Sequence, residues 1–322
     1  MRRRDFVSLV AGASVAWPLT ARAQQPSRPQ RIGLLATAPL QPIESFRKRL
    51  NDLGHVEGRN VAVEARFVAG DDARYPAMAA ELAGLPVDMI VAWGTPAAFA
   101  AKRATATIPI VFVAGDVLNT GLVSNLARPE ANITGFSALN AELEEKRIEL
   151  LKEINPAWSR VAVLGNALNP LHRVNLAAAR RAAQKLGMTL DVFEVRDSAE
   201  IEPALRRLVA ARPDAVVIGS DTTLMTERRR IAETMRDNKL PAVYPFREYI
   251  EAGAFIIYAA NISLLFQKAA EYADRILKGE TPAVLPVQQA TTVEIIINQK
   301  VAAALGLTLP GTVLVRADDV IE

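Results

Sequence analysis

Polar side chains follow several predicted strands at the point where a helix begins, and their types suit the binding of a charged small molecule. Thr95 precedes Pro96, and Asn169 precedes Pro170. Each pair places a capping side chain before a proline that suits the first helical turn. A helix start has free N–H groups and a partial positive charge, which attract a carboxylate or a phosphate. Each cap can equally be structural, because every helix start has N–H groups to satisfy.

Two aspartates stand at comparable places and offer the opposite charge. Asp221 starts a predicted helix together with Thr222, and Asp116 follows another strand in "VAGDVLNTG". A carboxylate that faces a cleft suits a ligand's ammonium group. A carboxylate that caps a helix or forms a turn is instead satisfied by backbone N–H groups. The residue types leave both alternatives open.

Four further residues complete the candidate set. Thr37 and Asn166 lie in the loops after the first strand of each half of the chain, where they either bind a ligand or shape the loop. Trp93 ends an apolar strand and is predicted either as core packing or as the aromatic wall of a pocket. Tyr244 ends a later strand in "VYPFREY", whose arginine suits a carboxylate ligand or a surface pair with the adjacent glutamate.

The sequence offers little that could make or break bonds. The chain has no cysteine, and its two histidines, His55 and His172, are far apart and lie in no metal-binding motif. No phosphate-binding glycine loop and no GxSxG motif is present. A nucleophile or a base assembled from distant residues stays open, but no local motif points to one. We therefore expect a chain that is not an enzyme, with no cofactor, no catalytic residue and no metal site.

Apolar strands alternate with helical patterns, which is typical of α/β proteins with parallel, doubly wound sheets. Strands are predicted near 31–36, 60–66, 87–93 and 109–113, and again near 160–165, 189–195, 214–218 and 241–244. Helices are predicted near 43–53, 73–83 and 96–105, and again near 171–186, 200–210 and 223–237. The stretch "LNAELEEKRIELLKEINP" between the two series is predicted as one amphipathic helix rather than a flexible linker.

The second series repeats the first at a nearly constant offset. "VEAR" at 63–66 matches "FEVR" 130 residues later, "VDMIVAWGTP" at 87–96 matches "PDAVVIGSDT" 126 residues later, and "IPIVF" at 108–112 matches "LPAVY" 132 residues later. The order of the matches predicts two lobes of the same topology. Ligands of such sheets bind outside the carboxyl ends of the strands, where the polar residues named above stand.

The first 23 residues are predicted to be a cleavable export signal. They combine a basic start, an apolar run of roughly 14 residues that is too short to span a bilayer, and the small-x-small triplet Ala21-Arg22-Ala23. The order "RRDFV" resembles a twin-arginine signal. Cleavage after Ala23 would leave 34 of the 38 basic and 34 of the 35 acidic residues, hence no net charge and no reason to expect nucleic-acid binding.

Long stretches of the chain resemble an ABC transporter substrate-binding family that includes tryptophan-type and other aromatic amino-acid-binding members. Segments that carry the resemblance include "FRKRLNDLGHVEGRNVAVEARFVAGDDARYPAMAAELAGLPVDMIVAWGTPAA", "FREYIEAGAFIIY" and "GLTLPGTVLVRADDVIE". The resemblance implies a type I periplasmic-binding-protein architecture of two Rossmann-like lobes, with a hinge, three crossovers and a central ligand cleft. We expect residues 31–138 plus about 259–290 in lobe 1, and 139–258 plus about 291–322 in lobe 2.

The resemblance also implies roles for the candidate residues. Thr95, with Thr37 beside it, is expected to bind a ligand carboxylate, while Asp116 and Asp221, with Tyr244 nearby, are expected to bind the amino group and to make polar contacts near the hinge. The implied protein is a periplasmic monomer that delivers a small carboxylate-bearing solute to an ABC permease in the inner membrane. The alternative is an extracytoplasmic ligand-sensing module for a signalling partner.

Overall fold

The computed structural model describes residues 28–129 and 132–322, so the predicted export signal lies outside the described residues. The strands are β1 (Gln30–Ala36), β2 (Val61–Phe67), β3 (Met89–Trp93), β4 (Ile110–Gly115), β5 (Ile133–Ala138), β6 (Arg160–Asn166), β7 (Thr189–Val195), β8 (Ala215–Ile218), β9 (Ala242–Tyr244), β10 (Ile256–Ala260), β11 (Gln288–Gln289), β12 (Val293–Asn298) and β13 (Asp319–Ile321). The α-helices are α1 (Gln41–Asp52), α2 (Tyr75–Gly84), α3 (Thr95–Ala104), α4 (Asn140–Ile154), α5 (Pro170–Lys185), α6 (Ile201–Ala211), α7 (Thr222–Thr226), α8 (Arg228–Asp237), α9 (Ile262–Leu277), α10 (Gln299–Ala304) and α11 (Gly311–Val315).

The strands form two sheets whose central order is the same. The first sheet has the order β11-β5-β4-β3-β1-β2 and the second has the order β13-β12-β10-β9-β8-β6-β7. The first strand of each series lies between the second and the third, as in doubly wound sheets. All pairs are parallel except that of β10 with β12. The predicted α/β class with parallel sheets is confirmed, and the predicted repeat is present in the strand order.

Most predicted elements lie within about two residues of the observed ones, but some differ. The helix predicted over 223–237 is two helices, α7 and α8. Strand β5 was not expected from the sequence, because its six buried residues, "ITGFSA", show no alternation. Gly135 fits this strand closely against β4, since an added Cβ would lie 2.1 Å from the carbonyl oxygen of Phe112.

The chain passes three times between the sheets: from β5 into α4, from β10 into α9, and from β11 to β12. Helix α9 returns to the first sheet, where the ring of Phe266 lies 5.2 Å from that of Trp93 and 6.4 Å from that of Phe46. Helix α4 packs against α5 and the second sheet. It buries Leu143, Ile148, Leu151 and Ile154, as its amphipathic pattern predicts. No helix within the described ranges is long and apolar enough to cross a membrane.

Candidate functional site

The carboxyl ends of the two sheets face each other across a small cavity of about 40 Å³. Its walls come from strand ends of the first sheet, from loops and helix starts that follow strands of the second sheet, and from the crossing helices α4 and α9. The polar and aromatic residues that line it are Trp93, Thr95, Asn140, Asn169, Ser220, Thr222 and Phe246. A buried water needs roughly 10–15 Å³ of such space, so the cavity in this arrangement has room for about three water molecules.

Trp93 and Thr95 form the wall from the first sheet. The Trp93 ring is only 2% exposed and packs edge-on against Phe266, so this residue is both core and cavity wall. The predicted capping role of Thr95 is wrong, because α3 starts at Thr95 with Gly94 in the capping position. The Thr95 hydroxyl instead accepts the N–H of Gly115 at 3.2 Å. No side chain caps the first turn of α3, so this helix start keeps its attraction for an anion.

Asn140, at the start of α4, is a cavity residue that the sequence analysis missed. Its side chain is buried, and its Oδ1 atom has no hydrogen-bond partner among the described residues. Gly115 allows this approach, since an added Cβ there would lie 2.6 Å from Asn140 Oδ1 and 2.4 Å from the side chain of Leu171. A buried acceptor without a partner is costly, and a ligand N–H would satisfy it.

Asn169 and Asp221 both cap helices, which is one of the two alternatives that the sequence leaves open at these positions. Asn169 accepts the N–H of Leu171 at 3.0 Å, and Asp221 accepts the N–H of Leu224 at 2.9 Å. The Asn169 amide also donates to Asp221 at 2.8 Å, and the Asn166 amide donates to Asp221 at 3.2 Å. Burial raises the pKa of Asp221, while these hydrogen bonds favour its charged form.

Asp72 is a second residue that the sequence analysis missed. It lies in a short 3₁₀ turn after β2, yet it accepts hydrogen bonds from Asn166 and Thr223 of the other half, each at 3.0 Å. Burial, followed by the nearby charge of Asp221, raises its pKa from 3.8 to about 7. The sequence repeat could have pointed to this residue, since "DDA" after β2 corresponds to "DSA" after β7. The residue that matches Asp72 is Ser198, whose hydroxyl also contacts the other half, where it donates to the Gly70 carbonyl at 3.2 Å.

Thr37 and Thr222 lie beside Tyr75 in a buried group of hydroxyls. Both threonine hydroxyls are close enough to affect the pKa of the Tyr75 phenol, which burial raises well above its usual range. None of the three oxygens has a hydrogen-bond partner among the described residues. Thr222 also lines the cavity, so this group adjoins it.

Asp116 and Tyr244 lie outside the cavity wall. Asp116 has a left-handed backbone, with φ of 41°, and its carboxylate accepts the N–H of Ala141, so it caps α4 at the crossing. Burial raises its pKa. Tyr244 is buried, with its ring 4.9 Å from that of Tyr249.

The structure therefore brings three of the eight predicted site residues together in the cavity wall: Trp93, Thr95 and Thr222. Thr37, Asn166 and Asp221 lie in the adjoining polar contacts between the halves.

Arg247 and the two histidines, which lie outside the cavity wall, each have an acidic partner. Arg247 donates to Glu294 at 3.3 Å rather than forming the surface pair with Glu248 that the sequence suggested. His55 lies 2.8 Å from Asp274, and His172 lies 3.0 Å from Glu194. Within the described part of the chain, no group of three or more histidine or acidic side chains could hold a metal ion.

Comparison with known proteins finds relatives that bind amino acids. A tyrosine-binding protein of Clostridioides difficile is 26% identical over 265 residues, which are 82% of this chain and 76% of that protein. The crystal structure of an ABC domain from Streptococcus pneumonia in complex with L-Trp is 25% identical and has a TM-score of 0.81, with 90% of this chain and 100% of that chain covered.

A ligand-free, open structure of a substrate-binding protein with adhesive properties from Clostridium difficile is 26% identical, with 91% of this chain and 99% of that chain covered, but its TM-score is only 0.61. The family model described as ABC transporter substrate binding protein matches residues 38–321. With its type I periplasmic-binding-protein fold and a match over most of its length, the chain belongs to the ABC transporter substrate-binding protein family.

Proposed function

We propose that this chain is the periplasmic solute receptor of an ABC import system, and that it binds an amino acid, with aromatic amino acids as the first candidates. The observation that carries the proposal is the cavity between the sheets, which places an uncapped helix start, an aromatic ring and an unpartnered amide oxygen around one space. Such a combination of one apolar wall and a few polar groups is typical of small-ligand sites.

Each part of an amino acid finds a chemical counterpart in the cavity wall. The first turn of α3, with the hydroxyl of Thr222 opposite, suits the carboxylate. The Asn140 oxygen suits the ammonium group, because Asp116 and Asp221, which the family resemblance suggested for it, already accept backbone N–H groups. Trp93 and Phe246 offer apolar surface to the side chain.

The relatives support an aromatic ligand. One is named a tyrosine-binding protein, and another was crystallised with L-Trp. The proposal transfers this ligand class to the present chain at 25–26% identity.

Ligand entry requires the two halves to separate, since the cavity in this arrangement is smaller than an amino acid. We assign residues 31–138 plus about 259–290 to one lobe and the remainder from 139 to the other. Two relatives of nearly equal identity favour this view, because the chain resembles the L-Trp complex at a TM-score of 0.81 and the ligand-free open protein at 0.61. A ligand that contacts both lobes would stabilise the closed form, which the inner-membrane permease would then recognise.

Localisation and assembly complete the proposal. The exported chain would lose its signal after Ala23 and act as a monomer in the periplasm. It would carry out no reaction on its ligand.

The proposal is tested by thermal unfolding of the chain from Gln24 onward against amino acids, aromatic carboxylates and sugars, after refolding from denaturant to remove bound ligand. A ligand at about a hundred times its Kd should add ~2.7 kcal/mol of stability and raise Tm by several degrees. Asn140→Ala should abolish the shift, whereas the matched Asn238→Ala on the exposed end of α8 should keep it. A shift for sugars alone, or one that Asn140→Ala leaves intact, would contradict the proposal.

A further inference from the structure

The contacts of Asp72 lie at the edge of the cleft that is farthest from the chain crossings. Strands β2 and β7, which precede Asp72 and Ser198, are the edge strands of their sheets. The crossings adjoin β5, β10, β11 and β12, toward the opposite edges. If the halves separate about the crossings, the largest movement occurs at this edge, which we call the mouth.

Among the described residues, three hydrogen bonds join the halves at the mouth, and two of them end on the Asp72 carboxyl. Thr223 Oγ1 donates to Asp72 Oδ1 and Asn166 Nδ2 donates to Asp72 Oδ2, each at 3.0 Å. Ser198 Oγ donates to the Gly70 carbonyl at 3.2 Å. All the donors belong to the second half, so opening the cleft breaks every one of these bonds and returns Asp72 to water.

A second carboxyl group stands close to Asp72 in the closed arrangement. The same Asn166 amide nitrogen donates to Asp72 at 3.0 Å and to Asp221 at 3.2 Å. Asp221 is also held by Asn169 and by the backbone of α7, so it is the better satisfied of the two as an anion. Asp72 has only neutral donors and is 8% exposed.

The other titratable groups that face Asp72 give its negative charge no support. Asp71 precedes it on its own turn and is acidic, and the Tyr75 phenol faces it from the start of α2. From the second half, Tyr249 lies near Asp221, with Arg228 and Glu248 acting on that phenol. Two buried carboxylates that share one amide group repel each other unless one of them is protonated.

We propose that Asp72 is a proton-dependent latch, so that closure of the cleft takes up a proton and is favoured in acidic medium. The inference rests on the proposed function in one respect, since it supposes that the two halves close around the ligand. In the latched form, the protonated Asp72 carboxyl donates to the Thr223 hydroxyl, which can accept as well as donate, while its other oxygen accepts from Asn166.

The direction of the pH dependence follows from the two environments of Asp72. In the open form its pKa returns to the ordinary 3.8, and in the closed form it is about 7. Between these values the closed form binds more protons than the open form. Closure is therefore fully supported below pH ~4 and loses this support as the pH rises through 7.

The first experiment needs no ligand. The chain has no cysteine, and the exposed alanines Ala73 and Ala199 lie on the turns after β2 and β7. Spin labels on Ala73→Cys and Ala199→Cys would report the distance across the mouth at pH 5 and pH 8. We expect a short distance to dominate at pH 5 and a longer one to gain population at pH 8.

Variants separate the latch from other titrating groups. Asp72→Asn carries a neutral amide with one donor and one acceptor, so it should keep the short distance at both pH values. Asp71→Asn changes the same charge on the adjacent, exposed residue and should keep the wild-type pH response. If Asp72→Asn folds poorly, Asp72→Ser replaces it, because any neutral side chain at this position should remove the pH response of the distance.

A ligand found by the thermal-unfolding screen provides the second measurement. Its Kd should be roughly tenfold or more weaker at pH 8 than at pH 5, and Asp72→Asn should remove most of this difference. If the distance depends on pH but no compound of the ligand screen binds, the result would support the latch and count against the proposed receptor function. Equal distances at both pH values, or a pH response that Asp72→Asn retains, would overturn the latch even if the ligand binds.

Discussion

At the crossing side of the cleft, Asp116 accepts the N–H of Ala141 and so holds the helix that begins there, whereas at the mouth Asp72 accepts side-chain donors from the other half. Both carboxyl groups are buried, and burial raises the pKa of each. Their partners differ. Asp116 caps α4, the helix that follows β5 of the same sheet directly in the chain. Asp72 instead accepts hydrogen bonds from side chains that are about 90 to 150 residues away in the chain. We therefore expect buried polar groups at the crossing side to contribute to stability, and those at the mouth to act on the proposed equilibrium between open and closed forms.

The ion pair of Glu144 with Arg147 is a second buried polar contact on the crossing side, and its two residues both belong to α4. Both side chains are fully buried on α4, and Arg147 also donates to the Tyr258 carbonyl at 2.9 Å and to the Ser220 hydroxyl at 3.2 Å. These partners belong to α4 and to the second sheet and its loops, so in the proposed opening we expect them to remain together.

Arg147→Met should have the largest effect on stability. It leaves the Glu144 carboxyl buried without its cation, and breaking a buried pair in this way costs about 3–5 kcal/mol. Denaturant unfolding measures the change. The double variant Arg147→Met with Glu144→Leu should recover most of the loss, and Arg181→Ala, which breaks an exposed pair with Glu145, should cost about 1 kcal/mol or less. If Arg147→Met lost little free energy of unfolding, the expected role of the crossing side in stability would be contradicted.

Asp116→Ala should have an intermediate effect. Loss of the cap on α4, together with the strain of alanine in a left-handed conformation, is expected to cost ~2 kcal/mol of unfolding free energy. Asp116→Asn should stay close to the wild type, because asparagine keeps an acceptor oxygen and tolerates the left-handed backbone at this position. Equal losses in both variants would mean that the charge, not the cap, matters at the crossing.

Ser198→Ala should have the smallest effect on unfolding, about 0.5 kcal/mol or less, because its bond to Gly70 forms only between the halves. Its effect should appear instead as a larger open population in the spin-label distance across the mouth. A loss of stability as large as that of Asp116→Ala would contradict the division between the two regions.

The strand order and several caps could be predicted from the sequence because they depend on local patterns. Alternating apolar strands and helical stretches give β1 to β4 and β6 to β9, and Asn169 and Asp221 cap the helices that they precede. The same reasoning gives a wrong result for Thr95, because Gly94 occupies the capping position of α3. The Thr95 hydroxyl instead accepts the N–H of Gly115, 20 residues later.

The polar contacts between the halves could not be predicted in the same way. Asp72 stands in a turn with ordinary local chemistry, and its role depends on Asn166, 94 residues later, and Thr223, 151 residues later. Asn140 faces the cavity because Gly115 lets the end of β4 approach it, which is a property of packing. In the sequence, only the match between Asp72 and Ser198 in the two halves indicates that these turns make similar contacts.

The return of α9 to the first sheet has a consequence for synthesis of the chain. The strand β5 ends at Ala138, but α9, which covers Phe46 and Trp93 through Phe266, starts at Ile262, 124 residues later. At about 5–20 residues per second, a ribosome needs roughly 6–25 s to supply it. The first sheet therefore exposes an apolar face until most of the protein has been made, and a nascent chain arrested before Ile262 would be a natural client for a chaperone.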